Sequence, residues 1–97
     1  PSDIESILIQ HPDVLEAAVI GVPSTEWGET PVAFVILQDA STNDSVLSKI
    51  KTWANDQVGK VQRLSDIKRI DELPRSHIGK ILKKDLRDLW ISIERQK

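Results

Sequence analysis

The sequence has no cysteine, methionine or tyrosine, and one phenylalanine beside three tryptophans. Without cysteine there is no disulfide framework and no thiolate to hold zinc or an iron–sulfur cluster, which fits a cytoplasmic setting. No apolar run approaches the ~20 residues of a membrane span, and no secretory-leader pattern stands in these residues. Glycine is scarce, at four residues, and forms neither a GxxxxGK[ST] nor a GxGxxG phosphate loop. With Pro1 at its start and no methionine anywhere, the chain is expected to be an excised piece of something longer.

What is present suits one small soluble domain: 97 residues, 39% hydrophobic and 29% charged. Its net charge of −2 conceals a division. Residues 1–48 carry eight acids and no lysine or arginine, whereas residues 49–97 carry thirteen bases and seven acids. Such polarity either presents one face to an anion or acidic partner, or draws the two halves together within the fold.

Ser2-Asp3-Ile4-Glu5 fits a capping box, and Ile4, Ile7 and Leu8 share one helical face. Pro12 ends that helix and biases His11 toward extended backbone. "VLEAAVIGV", Val14–Val22, and "PVAFVIL", Pro31–Leu37, predict two buried strands around the turn "PSTEWGET". Val46, Leu47, Ile50, Trp53, Ala54 and Gln57 predict a helix, with Gly59 as its stop. Asp66–Ile70 is expected to be a short third strand. A final helix over Lys80–Glu94 would bury Leu82, Leu86, Leu89, Trp90 and Ile93 and leave Lys83, Lys84, Arg87 and Asp88 in water. The order α-β-β-α-β-α predicts an α+β fold, a small mixed three-stranded sheet with helices packed on it.

Catalytic patterns are nearly absent from the sequence. His11 and His77 lack metal-ligand spacing; His11 is expected to cap a helix end and His77 to sit on a loop, so no metal site is predicted. Ser76 has no His–Asp arrangement to activate it. Trp53 and Trp90 read as core, and Trp27, in a polar turn, as a contact residue or a lid over the core edge. The unexplained stretch is "LPRSHIGKILKKDLRDLW", Leu73–Trp90. Gly79 gives the backbone freedom and Lys80 has a long stem, so its ammonium could meet an anion and withdraw. The plainer alternative is that Gly79 ends a turn and Lys80 is a solvated lysine at the start of a helix.

At these residues a resemblance enters. "PSDIESILIQHPDVLEAAVIGVPSTEWGETPVAFVIL" and "DELPRSHIGKILKKDLR" resemble the small C-terminal domain of the adenylate-forming superfamily over residues 1 to about 88. That superfamily includes acyl-CoA synthetases, aryl-CoA ligases, peptide-synthetase adenylation domains and luciferase. The resemblance rests on Ile4-Glu5, His11-Pro12, Glu16-Ala17-Ala18-Val19, Gly21-Val22-Pro23, Gly28-Glu29, Pro31 and, above all, Leu73-Pro74-Arg75 followed by Gly79-Lys80.

The resemblance implies that residues 1–97 are the lid of an AMP-forming acyl-CoA ligase, with a fatty acid the expected acyl substrate. Lys80 would serve the attack of a carboxylate on the α-phosphorus of Mg·ATP, on a loop supported by Pro74, Arg75 and Gly79. The lid would then rotate so that CoA can reach the acyl-adenylate. ATP, Mg and CoA follow as ligands, and the large N-terminal domain of the same enzyme as partner. A protein acetyltransferase acting on Lys80 would be a regulator. The large domain and hinge lie outside this sequence, and the chain alone is expected to be inactive. Where many members carry Tyr-Lys-x-Pro, this chain has Gly59-Lys60-Val61-Gln62, so Lys60 receives no role. The lid of an aryl-CoA ligase or peptide synthetase is an alternative within the family. A free-standing module gripping nucleic acid or another acidic partner through Lys80, Lys83, Lys84 and Arg87 is an alternative outside it, disfavoured because Asp85 and Asp88 interrupt the patch.

Overall fold

Two unbroken apolar strands require cover on both faces, and the computed structural model of the chain shows how they receive it. It describes residues 2–24, 28–39, 41–58 and 63–95. Strands β1 (Val14–Ser24) and β2 (Gly28–Leu37) pair antiparallel, and β3 (Asp66–Arg69) joins β2 in parallel, giving the order β1-β2-β3. Helix α1 (Ser2–Ile9) precedes the sheet, α2 (Val46–Gln57) supplies the crossover that a parallel pair demands, and α3 (Lys83–Arg95) ends the chain. The α-β-β-α-β-α order and the mixed three-stranded sheet are those expected from the sequence.

Alternation along the strands divides the core in two. Ala17, Val19, Ala33, Val35 and Leu37 pack with Ile4 and Leu8 of α1 and Ile50 and Ala54 of α2. On the opposite face Ala18, Ile20, Val22, Val32 and Phe34 meet Leu73, Leu86 and Trp90. A β-bulge at Leu15 shifts the register between Val14 and Glu16. The extra residue puts Val14 into the core under α1 and α2 and frees Glu16 to face the α3 side.

The two prolines in the strands sit where a missing N–H is harmless. Val19 N–H donates to the Glu5 carboxylate at 2.8 Å, so it lies on the outer edge of β1. Pro23, four residues on, has the same parity and removes one donor from that open edge. The Pro31 carbonyl accepts from Ser65 N–H at 2.9 Å, one residue before the β2–β3 ladder begins at Val32↔Asp66.

Several boundaries differ from expectation. The hairpin strands run on to Ser24 and back from Gly28, because cross-strand pairing overrides the Pro and Gly punctuation. Helix α3 begins at Lys83 rather than Lys80, since residues 75–82 are taken up by a separate hairpin. Leu89 is 37% exposed instead of buried, while Leu82 and Ile93 are half-buried. Asn55, a polar residue on an apolar helix face, is buried at 6% exposure. Its side chain holds Leu64 by both backbone groups, donating to the carbonyl at 3.2 Å and accepting from the N–H at 2.7 Å. That clamp carries Leu64 into the core just before β3. Lys68 then takes the α3-side position, its ammonium 4.8 Å from the Trp90 ring centre. This is why Leu64, Ile67 and Ile70 do not alternate simply. The expectations for Trp27, Gly59 and Lys60, and for the Ser2 side chain as a cap, lie outside the described residues and side chains.

At the end of α1 the backbone N–H of His11 donates to the Leu8 carbonyl at 3.0 Å, but the His11 side chain is not the expected cap. Its Nδ1 accepts from Asp13 N–H at 3.1 Å, and its ring meets Trp53 edge-on at 5.0 Å.

Candidate functional site

Leu73 is buried against the α3-side core, and from it the chain emerges into a tight hairpin. Leu82 N–H donates to Pro74 C=O at 2.9 Å, and Arg75 and Ile81 form an antiparallel bridge. At the tip, Gly79 N–H donates to Ser76 C=O at 2.9 Å and Ser76 N–H donates to Lys80 C=O at 2.8 Å. This bonding is that of a three-residue loop, a turn closed by one left-handed residue. Gly79 is that residue, with φ of +84°.

The purpose of Gly79 is therefore geometry more than freedom. Its left-handed backbone closes the hairpin and fixes where Lys80 leaves it. A Cβ at Gly79 would meet nothing within 4 Å, so alanine there is expected to cost only the backbone penalty, about 1–2 kcal/mol. Urea denaturation should detect that loss, and Gly79→Asn should recover part of it because asparagine tolerates this conformation.

Lys80 stands at the base of the tip and is exposed. The three residues before it are exposed too: His77 lies on the loop, as expected, and Ile78 is 88% exposed. Ser76 is half-buried, and its hydroxyl oxygen has no hydrogen-bond partner among the described residues. Among the described residues no three His, Cys, Asp or Glu side chains converge as metal ligands would, and no helix is long and apolar enough to cross a membrane.

Two carboxylates from the acidic half secure the hairpin on either side of Lys80. Arg75 donates through Nη1 to the Gly79 carbonyl at 3.0 Å and through Nη2 to the Glu16 carboxylate on β1. Lys83, expected to stay in water, is instead half-buried and donates to Glu5 at 2.6 Å. The same Glu5 oxygen accepts the Val19 N–H, tying α1, β1 and the first turn of α3 together. Arg69 likewise pairs with Asp44 at 3.1 Å. In each of these three pairs a base from the second half meets an acid from the first. Much of the charge division is thus spent inside the fold. Sequence reasoning did not single out Glu5 or Glu16 as supports of the loop, although the division of charge was the signal for such pairing.

A profile of the AMP-binding enzyme C-terminal domain matches residues 3–80. The chain belongs to that family. The match runs through the sheet and the hairpin to end on Lys80 itself. This AMP-binding enzyme C-terminal domain is 38% identical over 91 residues to acetyl-coenzyme A synthetase of Pasteurella multocida (strain Pm70), covering 90% of this chain and 14% of that protein. It is 39% identical over 87 residues to 4-coumarate–CoA ligase 1 of Glycine max, covering 90% of this chain and 29% of that protein. Among solved structures, ATP-bound MatB from Rhodopseudomonas palustris matches with a TM-score of 0.85 at 32% identity, covering 96% of this chain and 18% of that one. The chain thus spans less than a third of the length of these relatives.

Proposed function

We propose that this domain is the catalytic lid of an AMP-forming acyl-CoA ligase and that Lys80 provides its charge to the first half-reaction. In that step a carboxylate oxygen attacks the α-phosphorus of Mg·ATP, forming acyl-adenylate and releasing pyrophosphate. The CoA thiol then displaces AMP to give the thioester. An anion attacking a polyanion is self-repelling, so cationic charge must stand where negative charge accumulates. The observation that carries the assignment is an exposed ammonium on a fixed hairpin in a member of this family.

The sites for ATP, Mg and the acyl group are assigned to the large domain, and the lid acts as its movable partner. The names of the relatives range from acetyl-coenzyme A synthetase to 4-coumarate–CoA ligase, so a fatty acid is one candidate within a broad carboxylate class, to be distinguished with a panel of acids. The cytoplasm, where ATP and CoA are supplied, is the assigned location. Acetylation of Lys80 by a protein acetyltransferase would remove the charge and stop adenylation. The rival nucleic-acid module is disfavoured further by Lys83, which is already paired with Glu5.

Carboxylate-dependent ATP–pyrophosphate exchange tests the assignment. The 97-residue chain alone is expected to show none, and the chain joined to its large domain to show it strongly. Exchange that persists undiminished after deletion of residues 73–97 from the joined enzyme would overturn the role of the lid.

A further inference from the structure

We infer that Glu16 is a positioning residue for Lys80, acting through Arg75 and the carbonyl of Gly79; this rests on the assignment of Lys80 to adenylation. The Gly79 carbonyl and the Lys80 N–H belong to one rigid peptide plane. Whatever fixes that carbonyl fixes the plane from which the lysine side chain departs. Arg75 Nη1 holds it at 3.0 Å, while Nη2 of the same guanidinium reaches Glu16. A planar guanidinium donates in two fixed directions, so anchoring one edge on β1 sets the other edge against the hairpin tip. The line from sheet to lysine is therefore Glu16, Arg75, the Gly79 carbonyl, Lys80.

The bulge at Leu15 is what makes this line available. Without the extra residue, Val14 and Glu16 would lie on the same face of β1. With it, Val14 is 2% exposed under α1 and α2. Glu16, of one parity with Ala18 and Ile20, faces the side where Leu73 begins the hairpin. Leu15 is left 49% exposed.

Glu16 has a second effect, on charge. Arg75 is a cation bridged across the hairpin to Ile81, the residue after Lys80, and would compete for the same phosphate. Paired with Glu16 it is held to the sheet, and Lys83 is held by Glu5. Among the described residues Lys80 has no such carboxylate partner, so an anion approaching the tip meets that ammonium unneutralised. The Glu16 and Arg75 side chains are 42% and 38% exposed. A pair this accessible contributes little to global stability, so its removal should act on placement more than on folding.

The test is made on the complete enzyme, with its large domain, by measuring the two half-reactions separately. Glu16→Gln is expected to slow carboxylate-dependent pyrophosphate release about tenfold, the scale of a small misplacement of a reacting group. Thioester formation from supplied acyl-adenylate and CoA should change much less, and the melting temperature little. Arg75→Lys should produce a similar selective loss, and the double variant should be no worse than the poorer single one, because the two residues act as a unit. Equal loss in both half-reactions with a lowered melting temperature, or multiplying effects in the double variant, would overturn the inference. Lys80→Ala is run alongside. Adenylation that collapses with Lys80→Ala but ignores Glu16→Gln overturns the positioning role alone, whereas adenylation indifferent to Lys80→Ala overturns the underlying assignment and this inference with it.

Discussion

Replacing Lys80 by alanine in the complete enzyme is expected to lower the rate of acyl-adenylate formation by about 10²–10³, or ~3–4 kcal/mol of transition-state stabilisation. The size follows from where the charge acts. In water an ammonium near a phosphate is worth little, but a closed lid excludes water and the same pair is then worth several-fold more. Little reorganisation is needed when the charge arrives, because the hairpin is already formed by the two bonds between Ser76 and Gly79–Lys80. Lys80→Arg keeps the charge but replaces a compact point donor by a broad planar one, so it should recover only part of the rate. Carboxylate-dependent pyrophosphate release under single-turnover conditions measures both variants.

The second large effect is on stability. Phe34 is completely buried in the central strand, and its ring meets Trp90 edge-on at 6.4 Å. Phe34→Ala removes an aromatic ring where α3, β1 and Leu73 all converge, at an expected cost of about 3–5 kcal/mol. A domain of this size has ~5–15 kcal/mol in total, so the variant should lose from roughly a fifth of its stability to all of it. Equilibrium urea denaturation would show the midpoint falling at nearly constant slope. Because Leu73 launches the hairpin from this same core, the damage should also reach the placement of Lys80. Phe34→Leu, which refills most of the space, should restore most of both.

The runs Val14–Val22 and Pro31–Leu37 were legible as strands for a physical reason: a sheet covered on both faces has no polar side, so its strands read as continuous apolar segments. The amphipathic stripes of α2 and α3 were legible for the complementary reason, each having one face in water. The start of α3 was not. Gly79-Lys80 followed by an apolar period looks like a helix onset, and only the bonds from Ser76 and Leu82 reveal a hairpin there. A role for Lys80 could be suspected from its neighbours, and Gly79 as the end of a turn was one of two readings; the sequence could not choose between them, because left-handed backbone and backbone freedom call for the same residue. Glu16 was out of reach for a different reason. It stands 59 residues from Arg75, and a bulge that inverts the facing of one strand residue leaves no periodic mark. Asn55 was hidden similarly, since a buried amide clamp on Leu64 looks like any polar helix residue until both bonds are seen.

One measurement bears most directly on the claim that a single movable ammonium serves adenylation and then leaves. In one preparation of the complete Lys80→Ala enzyme, pyrophosphate release from acid and Mg·ATP is timed beside thioester release from synthetic acyl-adenylate and CoA. The expected result is a loss of about two to three orders of magnitude in the first rate with the second close to wild type. Parallel loss of both rates, or an unchanged first rate, would contradict it.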